Sequence, residues 1–109
     1  MPKAVFVQDG FSIDYMPTTN VAAGDVVVQG DLVGIATQDI PANTLGALKV
    51  EGVFDIVKQS GTAINAGALV YWDATSQVAT PTATGNKLIG KCIKAAAAAD
   101  ATVRVKISQ

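Results

Sequence analysis

The stretch Leu45-Gly46-Ala47-Leu48-Lys49-Val50-Glu51-Gly52-Val53-Phe54-Asp55-Ile56-Val57-Lys58 is the longest continuous β-like run in the chain. Gly52 stands in its middle, where a missing side chain suits a bulge or a sharp bend at a barrel corner. On its C-terminal side, Ser60-Gly61-Thr62 breaks the chain. Residues 68–73 and 77–80 then flank Ala74-Thr75-Ser76 as a hairpin. Residues 81–86 form a Thr/Pro/Gly loop and 87–94 a further strand. The last strand, 102–108, turns Val103, Val105 and Ile107 inward and Arg104 and Lys106 outward. Ala95 to Ala99 has helical propensity but is too short to hold a helix alone, so a helical turn or compact connector is expected.

On its N-terminal side, 26–28 and 32–37 are β-branched runs split by Gln29-Gly30-Asp31, a second hairpin signal. Residues 11–15 alternate Phe11, Ile13 and Tyr15 against Ser12 and Asp14, and Met16-Pro17-Thr18-Thr19-Asn20 is a loop. Residues 3–8 are a short apolar run stopped by the turn signal Asp9-Gly10. Eight or nine short strands with regular turns define an all-β fold, a small single-domain barrel or sandwich spanning residues 1–109.

An internal echo runs through it. Val21-Ala22-Ala23-Gly24-Asp25-Val26-Val27 matches Ile64-Asn65-Ala66-Gly67-Ala68-Leu69-Val70, 43 positions on. Leu32-Val33-Gly34-Ile35-Ala36 matches Leu88-Ile89-Gly90-Lys91-Cys92, 56 positions on. A duplicated half is one reading and chance similarity in an Ala/Val/Gly-rich chain the other. Gly24 and Gly67 would serve tight turns into strands, and Gly34 and Gly90 close backbone approach.

Composition narrows the function. The chain has 109 residues, 50% hydrophobic and only 16% charged, against about 25% charged in an ordinary domain. So few charges on a small body leave much apolar surface, the mark of an interface. The absence of histidine removes Ser-His, Cys-His and His-metal constellations. The four serines show no Ser-x-x-Lys, and no phosphate-cradling G-x-x-x-x-G-K-[ST] occurs. Neither Asp25 with Asp31 nor Asp9 with Asp14 has calcium-loop spacing. No enzyme activity, metal, cofactor or small-molecule substrate is expected. Cys92, alone and in an apolar run, reads as a buried small hydrophobe. The start does not read as a signal peptide, and no run of eighteen apolar residues offers a membrane span, so a product made and used in a cytoplasmic compartment, or in something assembled there, is expected.

Charge is unevenly spread. Residues 80–109 hold Lys87, Lys91, Lys94, Arg104 and Lys106 against Asp100 alone, while residues 1–79 hold three lysines against eight acids. Such polarity orients a subunit on a partner or against its own copies, unless it merely solvates ordinary strand faces. The basic third has no aromatic on which bases could stack, which argues against nucleic acid. Tyr71 and Trp72 are adjacent on a strand and point to opposite faces, one inward and one outward or into a partner.

Several stretches together carry a resemblance. They are Gly67 to Thr75 (GALVYWDAT), Ala83 to Gly90 (ATGNKLIG), Val50 to Lys58 (VEGVFDIVK), Ala23-Gly24-Asp25-Val26-Val27, Leu32 to Ala36, and the Ala-rich link into Thr102 to Ile107. Taken in their order along the chain, they resemble the small tailed-phage capsid cement, or decoration, proteins. Members of that family are sometimes labelled recombinase-like, a label the missing phosphate loop opposes. The resemblance implies a virion protein made in the host bacterial cytoplasm and carried on the outer capsid surface. It implies the major capsid protein and the chain's own copies, as homodimer or homotrimer, as partners. Candidate contact residues are Phe6, Phe11, Tyr15, Tyr71, Trp72, Thr84 and Asn86, with residues 2–15 and the 81–86 loop as candidate contact segments.

Overall fold

The computed structural model of the chain describes residues 3–6, 8 and 10–109, and among them there are nine strands and no helix. In chain order these are β1 (Ser12–Tyr15), β2 (Val26–Gln29), β3 (Leu32–Ala36), β4 (Gly46–Lys49), β5 (Glu51–Val57), β6 (Leu69–Asp73), β7 (Val78–Thr80), β8 (Lys87–Lys94) and β9 (Thr102–Ser108). They form two antiparallel sheets, ordered β1-β4-β3-β2 and β5-β9-β8-β6-β7. Neither sheet closes on itself, so of the two architectures expected the chain adopts the sandwich.

The run 45–58 is two strands in two different sheets, joined through Val50. Val50 donates its amide to the Phe11 carbonyl (3.0 Å) and accepts from the Gln109 amide (3.2 Å). Gly52 has a φ of 133°, a conformation that side chains rarely adopt, and the β5–β9 register runs through it unbroken, so it marks no bulge. Both hairpins form. Gln29 pairs with Leu32 across Gly30-Asp31, with Gly30 at φ 62°, as a two-residue turn requires. The β6–β7 turn is held by Asp73, whose Oδ1 accepts the Thr75 and Ser76 amides at 3.0 and 3.1 Å.

The echo is a structural duplication. Val26 and Val27 pair with Ile35 and Gly34, as Leu69 and Val70 pair with Lys91 and Gly90. Gly24 donates to the Ala36 carbonyl at 2.6 Å, as Gly67 does to Cys92 at 2.6 Å. The bridge Val21–Ile40 recurs as Ile64–Ala96. The flanking strands follow, since β1-β4-β3-β2 corresponds to β5-β9-β8-β6, with β7 added in the second half.

The first sheet uses both faces. Val33 and Ile35, backed by Val26 and Val28, join Ile56, Val70, Trp72, Cys92, Val105 and Ile107 in the larger core. Ala36, Ile40 and Leu48 form a smaller core on the other face, with Ile13, Tyr15, Val21 and Val27 against it. Each fully buried Leu, Ile or Val contributes about 1.5–3 kcal/mol through removal from water. Cys92 is buried as expected, with Sγ 3.0 Å from the Lys94 carbonyl. Lys58 is buried too. Its ammonium donates to the carbonyls of Gln59, Thr62 and Ala98 at 2.9, 2.6 and 3.2 Å and so ties two loops together.

One expectation is narrowed and another corrected. Of the two readings of Ala95 to Ala99 the compact connector holds: Ala96 bridges Ile64, and one hydrogen-bonded turn closes at 97–100, the Asp100 amide donating to the Ala97 carbonyl at 3.0 Å and Asp100 Oδ2 accepting the Ala97 amide at 2.8 Å. The small Ala96 side chain fits the core where a helix would break the ladder. In the apolar run 3–8, the described residues pair with neither sheet and are exposed. Asp9 of the expected turn lies outside the described residues, as does Pro2 of the candidate contact segment.

The equivalent glycines Gly34 and Gly90 both mark close approach. A Cβ on Gly90 would fall on the Lys106 carbonyl oxygen and 2.9 Å from Ile107 Cα, whereas one on Gly24 meets nothing within 4 Å. Gly90→Ala is therefore expected to lose about 2–3 kcal/mol by overpacking. Gly24→Ala, strained only by its φ of 91°, should lose about 1 kcal/mol. Urea unfolding checks this, and an unchanged midpoint for Gly90→Ala would contradict the close packing of β8 on β9.

Candidate interaction surface

The five-stranded sheet has one face in the core and one outside. On β5, Phe54 and Ile56 point inward, while Val53, Asp55 and Val57 point outward and are exposed. An antiparallel sheet commonly packs one face on the core and leaves the other to water, with polar residues outward. Here the outer one is open, with Val53 at 54% and Val57 at 57% exposure. The strand registers extend this face into rows. Val53 lies opposite Lys106, Lys106 opposite Lys91, and Lys91 opposite Leu69. In the next row Asp55 lies opposite Arg104, and Arg104 opposite Lys94. An irregularity between Cys92 and Lys94 interrupts the alternation and leaves Ile93 and Lys94 both exposed.

Arg104 grips Asp55 with both arms of its fork, Nε to Oδ1 at 3.0 Å and Nη2 to Oδ2 at 3.2 Å. The hydrogen bond from Arg104 holds the Asp55 carboxyl below its ordinary value, and Asp55 raises Arg104 in turn. Lys87 bonds Asp31 at 2.7 Å and joins the β2–β3 turn to β8; that hydrogen bond likewise lowers Asp31.

Beside this face, Tyr71, Asn86, Lys87, Leu88 and Gln109 line a shallow depression. Tyr71 is opposite Leu88 on β8 and Thr80 on β7. Asn86 shapes the 81–86 loop, donating Nδ2 to the Thr82 carbonyl (2.9 Å) and its amide to Ala83 (3.1 Å). Thr84 is exposed on that loop. The remaining candidates lie elsewhere. Phe11 is exposed where the first sheet meets Val50, Tyr15 packs against the smaller core, and Phe6 is 81% exposed.

Trp72 is a correction. It is 4% exposed inside the larger core, paired with Ala79, so Tyr71 is the outward member of that pair. The candidates therefore fall in more than one place, and the aliphatic residues Val53, Val57, Leu69, Leu88 and Ile93 were missed. Their signal was available, because Val53 and Val57 flank the inward Phe54 and Ile56 on alternate positions. Among the described residues no group of three or more His, Cys, Asp or Glu could hold a metal ion. No helix there is long and apolar enough to cross a membrane.

Fold and surface define a small two-sheet domain whose exposed chemistry is that of contact, aliphatic side chains and cations spread over an open sheet. The chain belongs to the phage cement protein family, whose model matches residues 7–107. That membership implies a structural role in a phage capsid, in association with capsid proteins. No curated protein and no solved structure matches the chain.

The two ion pairs set a pH dependence. Asp31 and Asp55 lie below their ordinary 3.8 in the folded chain. Their stabilising contribution is complete above that value and is lost as pH falls through the lower folded values. Thermal melts between about pH 5 and pH 2 should show a smaller acid-side loss for an Asp31→Asn, Asp55→Asn double variant than for the native chain. Equal losses would remove these pairs as a source of acid sensitivity.

Proposed function

We propose that the chain decorates the outer surface of a tailed-phage icosahedral shell and stabilises it by bridging neighbouring major capsid subunits. The observation that carries this reading is the open outer face of the five-stranded sheet, apolar and cationic, on a chain matched to the cement family over residues 7–107. The work is mechanical. It calls for no catalytic group, cofactor, small-molecule substrate or membrane, and the cationic rows carry no aromatic for nucleic-acid bases. The chain would be made in the host bacterial cytoplasm and end in the virion.

Such a protein must bind the expanded shell better than the unexpanded one, because equal affinity for both shifts nothing. Many symmetric copies then add modest individual contacts into a large stabilisation of the particle against its internal pressure. Low charge and the chain's 18 alanines suit flat contacts without buried unpaired charge. Self-association as a homodimer or homotrimer at local symmetry axes would use the remaining exposed surface. For the capsid contact, Phe6, Phe11 and Tyr15 within residues 2–15 are candidates, as are Tyr71, Thr84 and Asn86 around the 81–86 loop.

Added to expanded shells that lack it, the protein should co-sediment and raise the temperature at which they melt, and it should bind unexpanded shells more weakly. Failure to bind expanded shells, or equal binding to both forms without a rise in melting temperature, would overturn this function.

A further inference from the structure

We propose that the outer face of the five-stranded sheet, centred on Lys91 and Lys106, docks an acidic protein surface and not a second copy of this chain. The inference rests on the capsid reading above and names the chemistry of the partner. β8 and β9, the strands at the centre of the face, contribute Lys91, Lys94, Arg104 and Lys106 to it and no acid, while Lys87, opposite the inward Trp72, reaches Asp31 of the first sheet instead. Lys91 and Lys106 stand directly opposite one another in the register. Like charges in that position destabilise a sheet. Among the described residues the ion pairs are Lys87–Asp31 and Arg104–Asp55, so neither Lys91 nor Lys106 is neutralised by a carboxylate there. The other acid of β5, Glu51, stands at that strand's first position, opposite Ser108. The free domain therefore keeps an uncompensated cation pair between two aliphatic residues, Val53 and Leu69, in one row. A carboxylate placed between the lysines removes that repulsion, and the flanking aliphatics supply apolar burial around it.

The duplication shows that this face suits packing. Leu69 and Lys91 occupy the positions that Val26 and Ile35 hold in the first half. There Val26 and Ile35 are packed into the larger core beneath the second half. In the second half the same face is left uncovered, and the central apolar position has become a lysine. Two copies joined through this face about a two-fold axis would set cations against cations, since an isologous interface brings the same patch from both sides. Charge thus selects a partner of opposite sign.

The test uses Lys91→Glu and the double reversal Lys91→Glu, Lys106→Glu in the full chain, with Lys49→Glu on the other sheet as control. Lys91→Glu places opposite charges across the strands, so it should raise the melting temperature of the isolated protein while weakening shell binding. The double reversal should bind expanded shells at least about tenfold more weakly, and native binding should weaken as ionic strength passes about 0.15 M. An immobilised glutamate-rich peptide should retain the native chain and release the double variant. If native protein binds shells and the double variant binds equally well, the docking inference fails and the capsid function stands. If native protein binds no shell, the function fails and the peptide decides the inference, with equal retention of both proteins overturning it. Loss of self-association in the double variant, or loss of oligonucleotide binding that the native chain possesses, would also overturn it.

Discussion

Everything in this fold depends on how the chain crosses from one sheet to the other at Val50. The crossing takes a single residue, with its amide bonded to Phe11 at the start of the first sheet and its carbonyl to Gln109 at the end of the second. Gln109 then fastens both sheets with its side chain. Its Oε1 accepts the Val33 amide at 3.1 Å, and its Nε2 donates to the carbonyls of Leu88 and Ile89 at 3.1 and 2.8 Å. With the crossing held this way, Val33 and Ile35 on the first sheet meet Ile56, Trp72 and Val105 on the second. The larger core of a small sandwich is therefore closed by a bend and one terminal amide.

The duplication accounts for the unequal surface. Two copies of a four-stranded unit stack so that one face of the first covers the inner face of the second. The stack leaves one outer face uncovered, on the second unit. Sequence divergence between the halves follows that geometry. Ile35 on the covered face corresponds to Lys91 on the open one, and Ile40 in the self-filled smaller core corresponds to Ala96 in the larger core, where the other sheet supplies the packing. The basic charge of residues 80–109 is thus carried largely by the open face, on outward positions of β8 and β9.

Much of this was legible from residue order. The alternation of Val103, Val105 and Ile107, the Gly30 hairpin and the positive φ of Gly52 all act through near neighbours, and such local rules leave a visible mark in sequence. The echo between the halves was visible in the Ala-Gly turns and the later glycines, where backbone geometry restricts residue choice. It was invisible in β1 against β5 and β4 against β9, where any apolar residue can fill the inward positions. The change of sheet within 45–58 could not be read, because both strands have the same local pattern and only long-range pairing separates them. Trp72 could not be told from Tyr71, since alternation gives opposite faces without saying which is inside. The open face left little mark in sequence, because β5, β8 and β9 build it from exposed valines and lysines, residue types equally at home on any strand, with no outward aromatic among them.

The central claim is that the outer face of the β5-β9-β8-β6 sheet is the contact surface of this cement protein. An electron cryomicroscopy reconstruction of expanded shells decorated with the protein tests it most directly. The account predicts that Val53, Leu69, Lys91 and Lys106 lie against the shell, with carboxylates of the capsid subunits between the two lysines. A reconstruction in which that face points to solvent, or is covered by a second copy of the chain, would contradict it.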